Sequence, residues 1–217
     1  MRKGIVFALL AVLIASITVP IFAATVEDFT DVPEGIWFHE YVEFAAEKGL
    51  VSGTSATTFS PDETMTRADF VTVLGRFAGA DTSKTSVSFI DVPDNYYYTP
   101  YIYWAASNGI VTGTYCDTFD PYMPISKEQV ATVLCRYAES MDKRLNLPDW
   151  ILPPLGDDAK ISDYAKVNVN YLYYLGIVTG NEKGFFEPQK NISRAEATTL
   201  LVKFIQKHDF SGNDPDR

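Results

Sequence analysis

The chain has 217 residues, with 18 basic and 28 acidic side chains. Setting aside Arg2 and Lys3, which belong to an apparent leader, leaves 16 basic against 28 acidic groups and a formal charge of −12. A surplus of that sign without a basic stripe excludes nucleic acid as a partner, and the aromatic content of 14% with apolar periodicity excludes a disordered chain.

Taken in order, Arg2 and Lys3 precede an apolar run from Ile5 to Val19, then Pro20 and the small residues Ala23 and Ala24. This is the layout of a secretory signal peptide over residues 1–24, too short to span a bilayer comfortably, so the mature chain is expected not to cross a membrane. Trp37, Tyr41, Phe44, Ala45 and Lys48 then fall at i, i+4, i+7, i+8 and i+11, which predicts an amphipathic helix closed by Gly49 as a left-handed cap. After the landmarks Gly49-Leu50-Val51-Ser52-Gly53 and Phe59-Ser60-Pro61, Thr66 with Asp69 three residues on gives a near variant of the capping box, which predicts a second helix. Its inner stripe is Phe70, Val73, Leu74 and Phe77.

The segment Gly49–Ala78 aligns without a gap on Gly109–Ala138 and on Gly176–Ile205, at offsets of 60 and 127. The match reaches upstream, with Phe29-Thr30-Asp31 against Phe89-Ile90-Asp91; the third copy needs one extra residue to bring Leu155-Gly156-Asp157 into line. Ser126 with Gln129 and Ser193 with Glu196 repeat the cap, and Val130, Val133, Leu134, Tyr137 and Ala197, Leu200, Leu201, Phe204 repeat the stripe. Three repeats are thus expected at 29–80, 89–140 and 155–206, with a polar tail at 207–217. No copy can bury its stripe alone, so the expected fold is mainly α: three helix-loop-helix repeats sharing one pseudo-threefold domain.

The residue after each N-cap is Arg67, Lys127 or Arg194. A cation there works against the helix dipole by roughly 0.3–1 kcal/mol, so the repetition calls for a reason. One is an anion site built from a Lys or Arg and free helix N–H groups; the other is a local ion pair, with Arg67 answering Asp69 or Asp62 and Arg194 answering Glu196 or Glu187. Trp37, Tyr97 and Tyr164 form an aromatic column that serves either as core or as a platform for sugar faces. Asp31, Asp91 and Asp157 either accept hydrogen bonds from ligand hydroxyls or cap the first helix. Ser52-Gly53, Thr112-Gly113 and Thr179-Gly180 suit close ligand approach and equally an ordinary turn.

Cys116 and Cys135 lie 19 apart and are either a disulfide or two small half-buried hydrophobes. Neither they nor the two histidines, His39 on the first helix and His208 in the tail, form a metal or catalytic constellation. No phosphate loop is present, so neither catalytic residues nor a cofactor are expected.

The set F-x-D, aromatic, G-[LI]-V-[ST]-G, F-x-P and [TS]-[RK] resembles the S-layer homology family over residues 29–205. The resemblance implies a three-pronged spindle whose inter-repeat grooves bind a pyruvylated secondary cell-wall polysaccharide, itself a peptidoglycan-associated polymer. Arg67, Lys127 and Arg194 would meet the pyruvyl carboxylate, and the aromatic, aspartate and small-residue columns would line the grooves. It also implies secretion and residence at the cell surface, in the wall or S-layer. Lys127 in place of arginine, Glu128-Gln129 in place of Ala-Glu, and, in the third copy, Tyr164 with Asn168 depart from the family pattern, so those grooves are expected to be weak or silent; lacking the guanidinium fork, Lys127 is expected to contribute least. An alternative is a structural module that contacts other surface proteins without binding sugar. A stand-alone anchor, an adaptor and an incomplete gene product are the three forms this chain could take.

Overall fold

The computed structural model of the protein describes residues 25–83, 89–143 and 153–208; the expected leader at 1–24 lies outside them. The described residues form six α-helices and no sheet: α1 His39–Glu47, α2 Arg67–Phe77, α3 Thr99–Ser107, α4 Lys127–Ser140, α5 Asp163–Tyr174 and α6 Arg194–Lys207. None of them is long and apolar enough to cross a membrane.

Local chemistry sets the helix ends as the sequence predicts. Gly49, Gly109 and Gly176 adopt φ of 66°, 70° and 69°. Beyond each glycine, the N–H of Leu50, Ile110 or Ile177 reaches back to Ala45, Ala105 or Leu172. That is a Schellman stop, with the residue after the glycine plugged into the core. At the other end, the side chains of Thr66, Ser126 and Ser193 accept from the N–H groups of Asp69, Gln129 and Glu196. Gln129 and Glu196 return the bond to the cap's own N–H. Asp69, one methylene shorter than Glu196, takes the Thr66 hydroxyl instead, at 2.6 Å.

The main helix pairs form between repeats and not within one. α2 packs on α3, α4 on α5, and α6 on α1, so each prong joins the second helix of one repeat to the first helix of the next. The expected helical hairpin is therefore an inter-repeat pair, and the last repeat closes onto the first. At the centre, Met65 N–H donates to Ile192 O, Ile192 N–H to Ile125 O, and Ile125 N–H to Met65 O, each at 3.0 Å. These three equivalent residues are fully buried, so a closed ring of backbone bonds holds the pseudo-threefold axis in the core, where an unmade bond is expensive.

The aspartate column has a structural task that neither sequence reading anticipated. Asp31 accepts from Phe59 N–H and Ser60 N–H at 2.8 and 2.7 Å. Asp91 does the same to Phe119 and Asp120, and Asp157 to Phe186 and Glu187. None of the three caps its repeat's first helix. Ser60, Asp120 and Glu187, the middle residues of F-x-P, sit at φ of 58°, 57° and 59°, a left-handed conformation costing roughly 1–3 kcal/mol for a residue with a side chain. Two charge-assisted bonds to that turn, each worth about 1.5–3 kcal/mol, hold it. The clamp thus ties the F-x-D landmark to the F-x-P landmark.

Three further expectations change. α1 begins only at His39, so its inner face is Phe38, Val42, Ala45 and Ala46, and Trp37 stays outside the helix; apolar residues on neighbouring phases had masked this. His208 packs on Phe204 and Tyr171 at centroid distances of 4.7 and 6.0 Å, and α6 runs through Lys207, so residues 207 and 208 are part of the fold, and the rest of the expected tail, 209–217, lies outside the described residues. Burial pushes the His208 pKa below its usual value. Cys116 is exposed and Cys135 buried, both as free thiols. The Cys135 thiol donates to Asn168 O at 3.6 Å and burial pushes its pKa up, which is the small-hydrophobe reading.

Candidate functional site: three inter-repeat grooves

The cation column lies between repeats, and its side chains reach across rather than back to local acids. Arg194 Nε donates to Phe59 O and its terminal nitrogen to Ser52 O, both at 2.9 Å. Its guanidinium lies 4.7 Å from the Phe59 ring centroid. Arg67 repeats this on the second repeat, with bonds to Phe119 O at 2.9 Å and Thr112 O at 3.3 Å and a ring distance of 4.5 Å. The local pairs proposed for both arginines are thus replaced by carbonyl and ring contacts. Burial pulls both guanidinium pKa values down, opposed by Asp69, Glu63 and Asp31 around Arg194 and by Asp120, Tyr164 and Asp91 around Arg67. Lys127, shorter in reach and without the fork, pairs with Glu196 of the third repeat at 3.4 Å.

The helix N-termini are not open to a ligand. Arg67 and Ala68 N–H donate to Met123 O and Pro121 O, Lys127 and Glu128 N–H to Lys190 O and Pro188 O, and Arg194 and Ala195 N–H to Glu63 O and Pro61 O. The next N–H of each helix goes to the cap side chain. An anion site made from free N–H groups is therefore overturned, and any anion recognition here falls to side chains.

The first groove is a cavity of about 330 Å³ lined by Ser52, Gly53, Asp69, Arg76, Tyr97 and Arg194, among others. The Tyr97 ring is exposed and its hydroxyl donates to Asp69 at 2.6 Å; partial desolvation of that hydroxyl and then the carboxylate push its pKa up. Arg76, whose terminal nitrogen donates to Leu50 O at 3.1 Å, adds a second guanidinium. The third groove, about 170 Å³, holds Lys127, Trp37, Thr179, Glu196, Thr199 and Lys203. There the buried Thr199 hydroxyl has no partner, whereas its counterparts Thr72 and Thr132 bond back to Ala68 O and Glu128 O at 2.8 Å.

The second groove differs. Arg67 is only 8% exposed, and the buried Glu128 accepts from Ser162 N–H at 3.0 Å, Ser162 Oγ at 2.8 Å and Tyr164 Oη at 3.2 Å. Burial first, then this carboxylate, pushes the Tyr164 pKa up to about 12. Repeats one and three carry Ala68 and Ala195 in its place.

Trp37, Tyr97 and Tyr164 are 59%, 58% and 52% exposed, so the aromatic column is surface and not core. The small-residue column is turn: a Cβ on Gly53, Gly113 or Gly180 would lie 2.4–2.6 Å from loop backbone. Ser52, Thr112 and Thr179 still edge the grooves, the first two through carbonyls. The aspartates line neither cavity. Sequence reading missed Arg76, Arg136 and Lys203, nine residues beyond the first cations, although the same offsets of 60 and 127 relate them.

The S-layer homology domain model matches residues 28–71, 88–131 and 154–198. The chain belongs to the S-layer homology family. Three S-layer homology repeats place the chain among secreted cell-surface proteins associated with the cell wall. Similar proteins include an endoglucanase of Bacillus sp. (strain KSM-635), 33% identical over 96% of this chain and 23% of the relative. They also include the S-layer protein sap of Bacillus anthracis, 27% identical over 93% and 24%, and an amylopullulanase of Thermoanaerobacterium thermosulfurigenes, 29% identical over 85% and 10%. The chain spans no more than about a quarter of the length of these relatives.

Proposed function

We propose that these S-layer homology repeats anchor to the wall by binding an acidic, pyruvate-bearing polysaccharide, with the first groove as the principal site and no catalytic role for the chain. The supporting observation is the setting of Arg194. Its guanidinium is held by two carbonyls and the Phe59 ring, in a cavity of about 330 Å³ shared with Arg76 and the exposed Tyr97. Five N–H donors on one guanidinium leave a fork for a carboxylate after those two bonds, and the tyrosine offers a face for a sugar ring. Preordering the cation removes part of the entropy cost of binding. Asp31, Asp91 and Asp157 serve this reading indirectly, by holding the turns that present Phe59, Phe119 and Phe186.

Wall sacculi are incubated with the protein before and after mild acid removal of pyruvate. Retention is expected on untreated sacculi, falling with salt because the contact is charge-assisted, and is expected to be lost after treatment. Equal retention on both would sink the pyruvate mechanism and favour contact with another wall component or surface protein.

A further inference from the structure

Four tyrosines gather where the second repeat borders the first groove. Tyr98 is fully buried, and its ring is met by Tyr96 at 5.3 Å, Tyr97 at 5.1 Å and Tyr122 at 5.8 Å. Its hydroxyl donates to Tyr122 Oη at 3.0 Å. The three outer rings are exposed, Tyr122 by 64%. The cluster is peculiar to this repeat: the equivalents of Tyr96, Tyr98 and Tyr122 are Ile36, Phe38 and Asp62 in the first repeat and Asp163, Ala165 and Gln189 in the third.

Exposed aromatic rings that are fixed in place by a buried one lose little further entropy on binding. Their apolar faces and phenolic edges match the C–H face and hydroxyl rim of a neutral sugar ring. Tyr97 makes the cluster continuous with the groove, because it lines the cavity that holds Arg194 and Arg76 while packing on Tyr98.

We infer that the tyrosine cluster is a second sugar subsite of the first groove. The groove then takes consecutive units of one acidic glycan, the charged unit at Arg194 and Arg76 and its neutral neighbour on Tyr96 and Tyr122. This rests on the groove reading above.

The test is calorimetry with two probes: a hexosamine glycoside bearing a pyruvate ketal, and a three-sugar fragment carrying the same ketal on its terminal unit. Wild-type protein is expected to bind the longer probe about tenfold more tightly, the increment of one aromatic contact. Tyr122→Gln, which installs the third repeat's residue, and Tyr96→Ser should each reduce that advantage and leave the short probe's affinity within about twofold. Arg194→Ala should weaken both probes. Equal binding of the two probes by wild type, or parallel weakening of both by Tyr122→Gln, overturns the second subsite and leaves the groove reading intact. If wild type binds neither probe, the groove reading fails and takes the second subsite with it.

Discussion

Arg194, Arg67 and Lys127 occupy the same turn of equivalent helices, yet their neighbours set them different tasks. Arg194 opens onto a cavity, Arg67 is buried against Phe119 and the Thr112 carbonyl, and Lys127 is tied to Glu196. On that basis Arg194→Ala is expected to weaken binding of the pyruvylated polymer by roughly 10- to 100-fold, the worth of one charge-assisted contact. Arg67→Ala removes two carbonyl bonds and a ring contact from a buried site, so it should lower the melting temperature by about 5 °C while changing affinity only a few-fold. Lys127→Ala should fall between them in affinity, so the least contributor is Arg67 and not, as the missing fork implied, Lys127, whose groove also holds Trp37 and the partnerless Thr199 hydroxyl. Calorimetry with the polymer, paired with thermal melting of each variant, separates the roles. Loss of binding in Arg67→Ala at an unchanged melting temperature would reverse the ranking and make the second groove the principal site.

At the scale of elements, what was legible in the sequence is what local hydrogen bonds decide. Thr66, Ser126 and Ser193 cap their helices, and Gly49, Gly109 and Gly176 stop them, through bonds within a few residues. Partners 28 to 30 residues away, as in the aspartate clamps, leave no periodic trace. Nor does helix pairing, since an apolar stripe does not say which other stripe covers it, and α1 meets α6 across almost the whole chain. The cation column was legible as a pattern, but its carbonyl partners on the neighbouring repeat were not. One crossing shows how tightly the pairing is built. At Gly75 on α2 a Cβ would lie 2.5 Å from Cδ1 and 3.3 Å from Cγ of Tyr101 on α3, whereas the equivalent positions hold Cys135 and Val202. Removing a mid-helix glycine ordinarily gains about 0.5–1 kcal/mol, but here the clash reaches the root of the ring and outweighs it. Gly75→Val is expected to destabilise the fold by about 1–3 kcal/mol in denaturant unfolding, and an unchanged or raised midpoint would show that α3 can shift away freely.

For the whole molecule, closure is the feature from which the rest follows. Each prong is shared between two repeats, and the axis is a ring of three backbone bonds among Met65, Ile125 and Ile192, so no repeat carries a complete core. Removing residues 157–206 takes away α5 and α6 together. That strips α4 and α1 of their partners, leaves Met65 N–H without Ile192 O and Ile125 O without its donor, and bares the apolar faces of Val42, Ala45, Val130 and Leu134. It also removes Arg194 from the first groove, so binding and folding should fail together. The full chain is expected to melt in a single sharp transition, and the truncated chain to lose it, to bind a hydrophobic dye, and to aggregate or behave as a molten state. A soluble, monomeric truncation that melts sharply at the full-length temperature would mean that two repeats suffice for a core, and that the threefold ring is an arrangement of independent units.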